Sequence, residues 1–246
     1  TNLYVGGNFT TVSSSSQNGI SANNIANWDT TTGLWSPLGN ATQNGTSARV
    51  DALAVSGTEL YVGGIFLTVS SSSQSGISAK RIATWDAAGG IWSPLGSATQ
   101  NGASSGVTTL AARGGDIYAG GSFSTVSSSS QNAISAKNIT KWSPAGNTWS
   151  PLGNATQNGA NLSVNALAVD GANLYVGGLF TSVSSSSQNA ISASGFGIHD
   201  ISAPDITVEQ PAGSGLADGT ASIAFGSVDT GRSSTSLTFT VKNTGT

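Results

Sequence analysis

The chain contains no cysteine and no methionine, and it has a single histidine among 246 residues. The absence of cysteine excludes disulfides and thiolate metal sites, but it does not assign a compartment. One histidine excludes a repeated histidine metal site and argues against a nucleophile–histidine–acid triad. The lack of methionine, and a first residue that already lies within a repeat, predict that this sequence is an internal piece of a longer protein.

Charged residues are also scarce, at 8% of the chain, where about a quarter is typical of soluble domains. The eight Lys and Arg residues are scattered, and Lys80-Arg81 is the only adjacent pair. We therefore expect neither nucleic acid nor an anionic membrane surface as a partner. No apolar run approaches the roughly 18 residues of a membrane helix, so no membrane insertion is expected within this sequence. The composition, with 33 glycines and many uncharged polar residues, predicts a β-rich, secreted or cell-surface protein.

The most informative feature present is a repeat of 57 residues, which aligns without gaps through its third copy. Such a period indicates an array of one supersecondary unit copied head to tail. Aromatic residues mark it most clearly, at Tyr4, Tyr61, Tyr118 and Tyr175, at Trp28, Trp85 and Trp142, and at Trp35, Trp92 and Trp149.

Each unit predicts four short strands, here named a to d. In the second unit they are residues 50–55, 60–64, 81–86 and 91–95. These apolar or β-branched runs lie between clusters of Gly, Asn and Ser, which is typical of strands. Strand d contains Pro94, which cannot donate to a ladder, so strand d is predicted to be the edge strand.

The motif from Tyr61-Val-Gly-Gly64 to Trp85-Asp86 and Trp92 resembles the kelch blade. The third copy departs from that pattern, with Ser143 in place of the aspartate. The resemblance implies an all-β, kelch-like β-propeller fragment over residues 1–203, with two complete and two partial blades. Because a propeller closes with four to eight blades, we expect at least two more blades upstream.

The sequence character changes in residues 204–246. Residues 206–208, 221–225 and 236–241 alternate as strands of a β-sandwich do. This segment resembles the start of an immunoglobulin-like domain of the choice-of-anchor D type, found in bacterial surface proteins. Since such sandwiches need about 100 residues, only the N-terminal part of one is expected here. The resemblance implies a large, exported, multi-domain protein.

No catalytic, cofactor-binding or metal-binding residue is assigned. His199 occupies a tryptophan position of the repeat and has no evident partner beyond Asp200, so it is expected to be structural. The repeated Gly-Gly pairs lack a following helix and do not form a phosphate-binding loop. We expect them to allow close approach of strands, and the tryptophans to pair across the c–d hairpin and pack between repeats.

The long b–c and d–a connections are predicted to lie on one face, because the strands alternate in direction. Their repeated amides predict a neutral, multivalent binding surface for glycans or another surface protein. Its candidate residues are Gln17, Gln43, Asn44, Gln74, Gln100, Asn101, Gln131, Gln157, Asn158 and Gln188. We predict a non-enzymatic protein used for adhesion or ligand binding. Four alternatives stay open: loops that are only solvated, loops that only bond each other, a structural stalk, and part of a carbohydrate-active enzyme with catalytic residues elsewhere.

Overall fold

The computed structural model of the chain describes residues 2–185, 189–201, 206–209 and 240–243. The chain divides into two compact units, Thr1–His199 and Asp200–Thr246. The described residues form strands, turns and bends and contain no helix. The fold is therefore all-β, as the sequence predicts.

The first unit holds four repeats of short strands. Repeat 1 contains β1 (Asn2–Gly6), β2 (Thr11–Val12), β3 (Ile20–Ser21), β4 (Ile25–Asp29) and β5 (Leu34–Pro37). Repeat 2 contains β6 (Val50–Ser56), β7 (Glu59–Gly64), β8 (Thr68–Ser71), β9 (Gln74–Ser78), β10 (Ile82–Asp86) and β11 (Ile91–Pro94). Repeat 3 contains β12 (Gly102–Ala103), β13 (Val107–Arg113), β14 (Asp116–Gly121), β15 (Thr125–Ser127), β16 (Ile134–Ser135), β17 (Ile139–Ser143) and β18 (Thr148–Pro151). Repeat 4 contains β19 (Gly159–Ala160), β20 (Val164–Asp170), β21 (Asn173–Gly178), β22 (Ser182–Ser184), β23 (Ile191–Ser192) and β24 (Phe196–Asp200).

Each repeat builds one main antiparallel sheet, whose strands pair in their order along the chain once the short strands of the b–c connection are left aside. Repeats 2 and 3 have the orders β6-β7-β10-β11 and β13-β14-β17-β18, which confirms the predicted succession a-b-c-d. The main sheets of repeats 1 and 4, called sheet 1 and sheet 4, have three strands, β1-β4-β5 and β20-β21-β24. Strand β11 ends at Pro94 and lies at the edge of its sheet, where the missing N–H costs no ladder bond.

The c–d turns follow from their aspartate and glycine residues. The Asp29 carboxylate accepts the Thr31 N–H at 2.8 Å, and Gly33 closes the turn at a φ of 67°. These hydrogen bonds lower the pKa of Asp29 below its ordinary value. Across the hairpin, the Trp28 and Trp35 rings lie 4.9 Å apart, which confirms the predicted tryptophan pairing.

The apolar core lies between neighbouring repeats. One cluster joins Ile25 and Leu38 of repeat 1 to Val62, Phe66 and Trp92 of repeat 2, all buried. A second cluster joins repeats 2 and 3 with the same residue positions, shifted by one repeat. Both interfaces therefore combine one face of a main sheet with the opposite face of the next, as stacked repeats require.

The glycine pairs lie where the repeats approach most closely. A Cβ at Gly63 would lie 2.8 Å from the Val107 Cγ1 of the next repeat, and one at Gly64 would overlap the Arg49 carbonyl oxygen. A Cβ at Gly120 would likewise lie 2.6 Å from the Val164 Cγ1 of the next repeat. The predicted role in close approach is confirmed for the pairs Gly63-Gly64 and Gly120-Gly121, whereas Gly177 has only ordinary contacts.

Each b–c connection contains a small hairpin that the sequence prediction left as a long loop. In repeat 2 it is formed by β8 and β9, whose register places Val69 opposite Ile77. Val69 is buried in the core, and Ile77 is partly buried against the same cluster, which contains Trp92 of the edge strand β11.

The second unit has one described pair of strands, β25 (Ile206–Glu209) and β26 (Thr240–Asn243), which are antiparallel. The predicted strand at residues 206–208 falls within β25, and residues 240–241 of the third predicted strand fall within β26. The predicted strand at residues 221–225 lies outside the described residues. Among those described, no helix has the length and apolar character needed to cross a membrane.

Candidate functional site

The two long connections of each repeat meet, as predicted, and they bond to each other. Strand β12, in the connection that enters repeat 3, pairs with β15 of the b–c hairpin. The same connection also reaches back to repeat 2, because Ala103 N–H donates to the Lys80 carbonyl at 3.0 Å. Each d–a connection thus links the b–c segments of two neighbouring repeats.

The repeated asparagines of the d–a connections are part of this link. Asn101 is buried, its amide oxygen accepts the Lys80 N–H at 2.8 Å, and its amide nitrogen donates to the Ser97 carbonyl at 2.7 Å. Asn44 and Asn158 make the equivalent hydrogen bonds in their own connections. These three predicted site residues therefore hold backbone and present little surface to a ligand.

The repeated glutamines of the b–c hairpins bond to the edge strand. Gln74 Nε2 donates to the Trp92 carbonyl at 2.9 Å, while Trp92 N–H donates to Gln74 Oε1 at 2.6 Å. The indole of Trp92 donates in turn to the Ser70 carbonyl at 2.9 Å. Gln17 and Gln131 make the same paired contacts to Trp35 and Trp149. A side-chain amide thus takes the place of a fifth strand, and sequence reasoning missed this role.

The remaining predicted residues differ in exposure. Gln43 is exposed, whereas Gln100 and Gln157 at the same repeat position are half-buried. None of these three side chains makes a hydrogen bond within the part of the chain that the structure describes. Gln188 lies outside the described residues.

A polar cleft of about 860 Å³ lies on this face between repeats 1 and 2. It brings together two of the predicted residues, Gln43 and Asn44, and it contains one charged side chain, that of Arg49. Its lining is completed by Asn8, Thr10, Asn23, Asn24, Thr42, Gly45, Thr46, Ser47, Ala48, Ile65, Thr68, Ser70 and Ser75.

The side chains of the cleft divide into bonded and available groups. Asn24 Nδ2 donates to the Thr46 carbonyl at 2.9 Å, so it serves the fold. Asn8, Gln43 and Ser75 line the cleft with side chains that make no hydrogen bond among the described residues. Two amides and a hydroxyl are therefore free to donate and accept.

The cation of the cleft is neutralised within the protein. The Arg49 guanidinium forms an ion pair with Asp51, which raises the pKa of Arg49 above its ordinary value. Arg49 occurs once, since Gly106 and Ser163 occupy its position in the following repeats. The cleft thus has hydrogen-bonding character with little net charge.

Sequence reasoning missed Asn8 because its position is not conserved within the array. The equivalent residues are Ile65, Ser122 and Leu179, so no repeated polar pattern marks it. The same variation separates the cleft from its counterpart between repeats 2 and 3, where Lys80 and Arg81 replace Asn23 and Asn24.

Within the described residues, no group of three or more His, Asp or Glu side chains is placed to hold a metal ion. His199 lies on β24 at the position that tryptophan occupies in the first three repeats.

No protein-family model matches the chain, and no curated protein does. Among solved structures, the chain is similar to the computationally designed Ika8 protein, at 18% identity and a TM-score of 0.43, over 72% of this chain and 40% of that one. It is also similar to the computationally designed Ika4 protein, at 18% identity and a TM-score of 0.38, over 64% of this chain and 69% of that one. The all-β architecture therefore rests on the strand pairing of the chain itself.

Proposed function

We propose that the protein is a non-enzymatic, secreted or cell-surface repeat protein that binds a neutral glycan in the cleft between repeats 1 and 2. The observation that carries this proposal is the cleft of about 860 Å³ whose only charged lining residue, Arg49, is already paired with Asp51. A ligand held there meets amides and hydroxyls, which suit the hydroxyl groups of a sugar.

The cleft side chains that make no hydrogen bond among the described residues determine which class of ligand it can bind. Asn8 and Gln43 each offer an amide that donates and accepts, and Ser75 adds a hydroxyl. An anionic ligand would contact only one cationic side chain, Arg49, which is already paired with Asp51. A cationic ligand would have no carboxylate to bind, because none lines the cleft. Because neutral hydrogen bonds contribute about 1 kcal/mol each, we expect weak binding per cleft, in the range typical of multivalent surface proteins.

For the architecture around the cleft, we propose a kelch-like β-propeller built from the repeat sheets, followed by an immunoglobulin-like domain of the choice-of-anchor D type. The strand succession a-b-c-d and the glycine pairs support the first part. The alternating pattern of residues 236–241 supports the second.

Titration calorimetry with neutral oligosaccharides, chosen from a glycan array, tests the binding function. Alanine at both Asn8 and Gln43 should weaken binding about tenfold or more, since two neutral hydrogen bonds are lost. Gln157→Ala is the matched control, because it removes the same side chain at the same repeat position outside this cleft. No binding to the array by the unmodified chain, or equal loss in the control, would contradict the proposal.

A second candidate is a structural array without a ligand. It is favoured by the repeated amides themselves, since Gln74 and Asn101 are committed to backbone groups of the fold. The calorimetric experiment separates the two functions, because a stalk gives no heat with any glycan.

A further inference from the structure

The tripeptide Gln-Asn-Gly occurs four times in the chain, and its copies lie in two different environments. Asn44, Asn101 and Asn158 belong to the d–a connections, whereas Asn18 lies between β2 and β3 in the b–c hairpin of repeat 1. Asparagine before glycine is a reactive pair, because glycine has no side chain to keep its backbone nitrogen away from the asparagine amide. Since the tripeptide is the same at all four sites, we expect the fold to decide which of them reacts.

The three asparagines of the d–a connections are held in place by the fold. Each is at most 4% exposed, and its amide oxygen and amide nitrogen are both hydrogen-bonded to backbone groups. The glycine that follows is equally enclosed, because a Cβ at Gly102 would overlap the Lys80 carbonyl oxygen. To react, each of these amides must first break two hydrogen bonds and leave its buried position.

Asn18 is exposed, and its side chain makes no hydrogen bond among the described residues. A Cβ at Gly19 would have no neighbouring atom within 4 Å, so the space around this glycine is open. The Gly19 N–H donates to Ser13 Oγ at 3.0 Å, but the glycine N–H is also bonded at the three d–a sites. The freedom of the side-chain amide and its access to water therefore distinguish Asn18.

The exposure of Asn18 belongs to its position in the repeat. Its equivalents in repeats 2 and 3, Ser75 and Asn132, are exposed as well, although another repeat precedes each of them. These copies lack the reactive pair, because Ser75 has no amide and because alanine follows the asparagine in repeats 3 and 4. Repeat 1 alone combines asparagine and glycine at this exposed position.

We propose that Asn18 is a site of spontaneous deamidation, and that it is the one copy of the four that reacts rapidly in the folded protein. The Gly19 nitrogen attacks Asn18 Cγ and forms a C–N bond, and Nδ2 leaves as ammonia with the proton that the Gly19 N–H gives up. Water then opens the cyclic imide, at Cγ to give aspartate or at the main-chain carbonyl to give isoaspartate. Either product adds one negative charge to a chain whose net charge is −3.

Incubation of the folded 246-residue chain in mildly alkaline buffer tests the proposal. Chymotrypsin cleaves after aromatic residues and leucine, so it separates Asn18, in residues 10–28, from Asn44, in residues 39–53. Mass spectrometry of the peptides measures the conversion, because the product is heavier by the mass difference between water and ammonia. We expect Asn18 to react at least about tenfold faster than the three d–a asparagines, since each of those must first break two hydrogen bonds.

The same incubation in urea is the control for the intrinsic chemistry. Unfolding exposes all four copies of Gln-Asn-Gly, so their rates should become similar. Equal rates at the four copies in the folded chain would overturn the proposal. An Asn18 that keeps its amide in the folded chain, over a period in which the unfolded chain reacts, would overturn it as well.

Two exchanges of alanine and glycine at one repeat position give the decisive result. Gly19→Ala gives repeat 1 the pair found in repeat 3, and it should suppress the reaction at Asn18. Ala133→Gly should create a second reactive site at Asn132, and the fold accepts it because Ala133 already has a φ of 48°, which glycine adopts freely. Circular dichroism verifies that both variants are folded. If Asn132 stays intact in folded Ala133→Gly, exposure at this hairpin position is not what makes the pair reactive, and the proposal is wrong.

Discussion

Gly120 and Gly177 occupy the same position of the repeat in two different environments. The substitutions Gly120→Ala and Gly177→Ala therefore compare the same added methyl group in both. At Gly120 the new Cβ would lie 2.6 Å from Val164 Cγ1 and 2.7 Å from Thr109 Cγ2. Val164 is fully buried, so it has no room to move, and overpacking of this kind costs about 2 kcal/mol. At Gly177 the nearest atom is 3.6 Å away, which is ordinary contact.

Neither glycine has a positive φ, so alanine causes no backbone strain at either position. At Gly177 the substitution should therefore stabilise the fold by about 0.5 kcal/mol, because alanine restricts the unfolded chain. The two variants should differ by about 2.5 kcal/mol in the free energy of unfolding.

Urea unfolding followed by tryptophan fluorescence measures this difference. Because repeat arrays can unfold in parts, amide hydrogen exchange in β14 and β21 should accompany it. If both variants shift the midpoint by the same amount and in the same direction, the argument from inter-repeat packing is wrong.

Three further predictions concern repeat 2. Burial and the facing carboxylate of Asp86 raise the pKa of Glu59, so its charge destabilises the fold as the pH rises through that pKa. Glu59→Gln should stabilise the chain by about 0.5 kcal/mol at pH 7, and a urea series should show the gain vanish below about pH 4. Arg81 has a φ of 69°, so Arg81→Asn, the residue of repeats 1 and 3, should raise stability by about 1 kcal/mol in thermal unfolding. Gln74→Met keeps the volume but leaves Trp92 N–H without its acceptor, so denaturant titration should show a loss of about 2 kcal/mol.

The sequence predicts the main sheets well because their strands carry apolar runs bounded by turn residues. Asp29 and Gly33 fix a turn through local chemistry, and Pro37 marks an edge because it has no N–H to donate. The small b–c hairpins escape prediction, since Val69 and Ile77 are isolated in serine-rich surroundings and pack against residues distant in sequence, such as Trp92.

The candidate site is harder to predict from the sequence than the fold. Gln43 is found because its polarity recurs, and Asn8 is missed because two of its three repeat equivalents, Ile65 and Leu179, are apolar. The partner of Gln74 is the backbone of Trp92, 18 residues away, and a backbone partner leaves no trace in the pattern of side chains. Repetition thus identifies amides that serve the fold more readily than amides that are free to bind.

The paired hydrogen bonds between Gln74 and Trp92 have a consequence for solubility. An edge strand with open N–H and C=O groups recruits strands from other chains, and many proteins prevent this with lysine. Charged residues are scarce in this chain, and on the edge strands β5, β11 and β18 the N–H and C=O of one tryptophan are instead bonded to the glutamine of the same repeat. We expect resistance to amyloid-like aggregation to depend on these glutamines, one for each of the edge strands β5, β11 and β18.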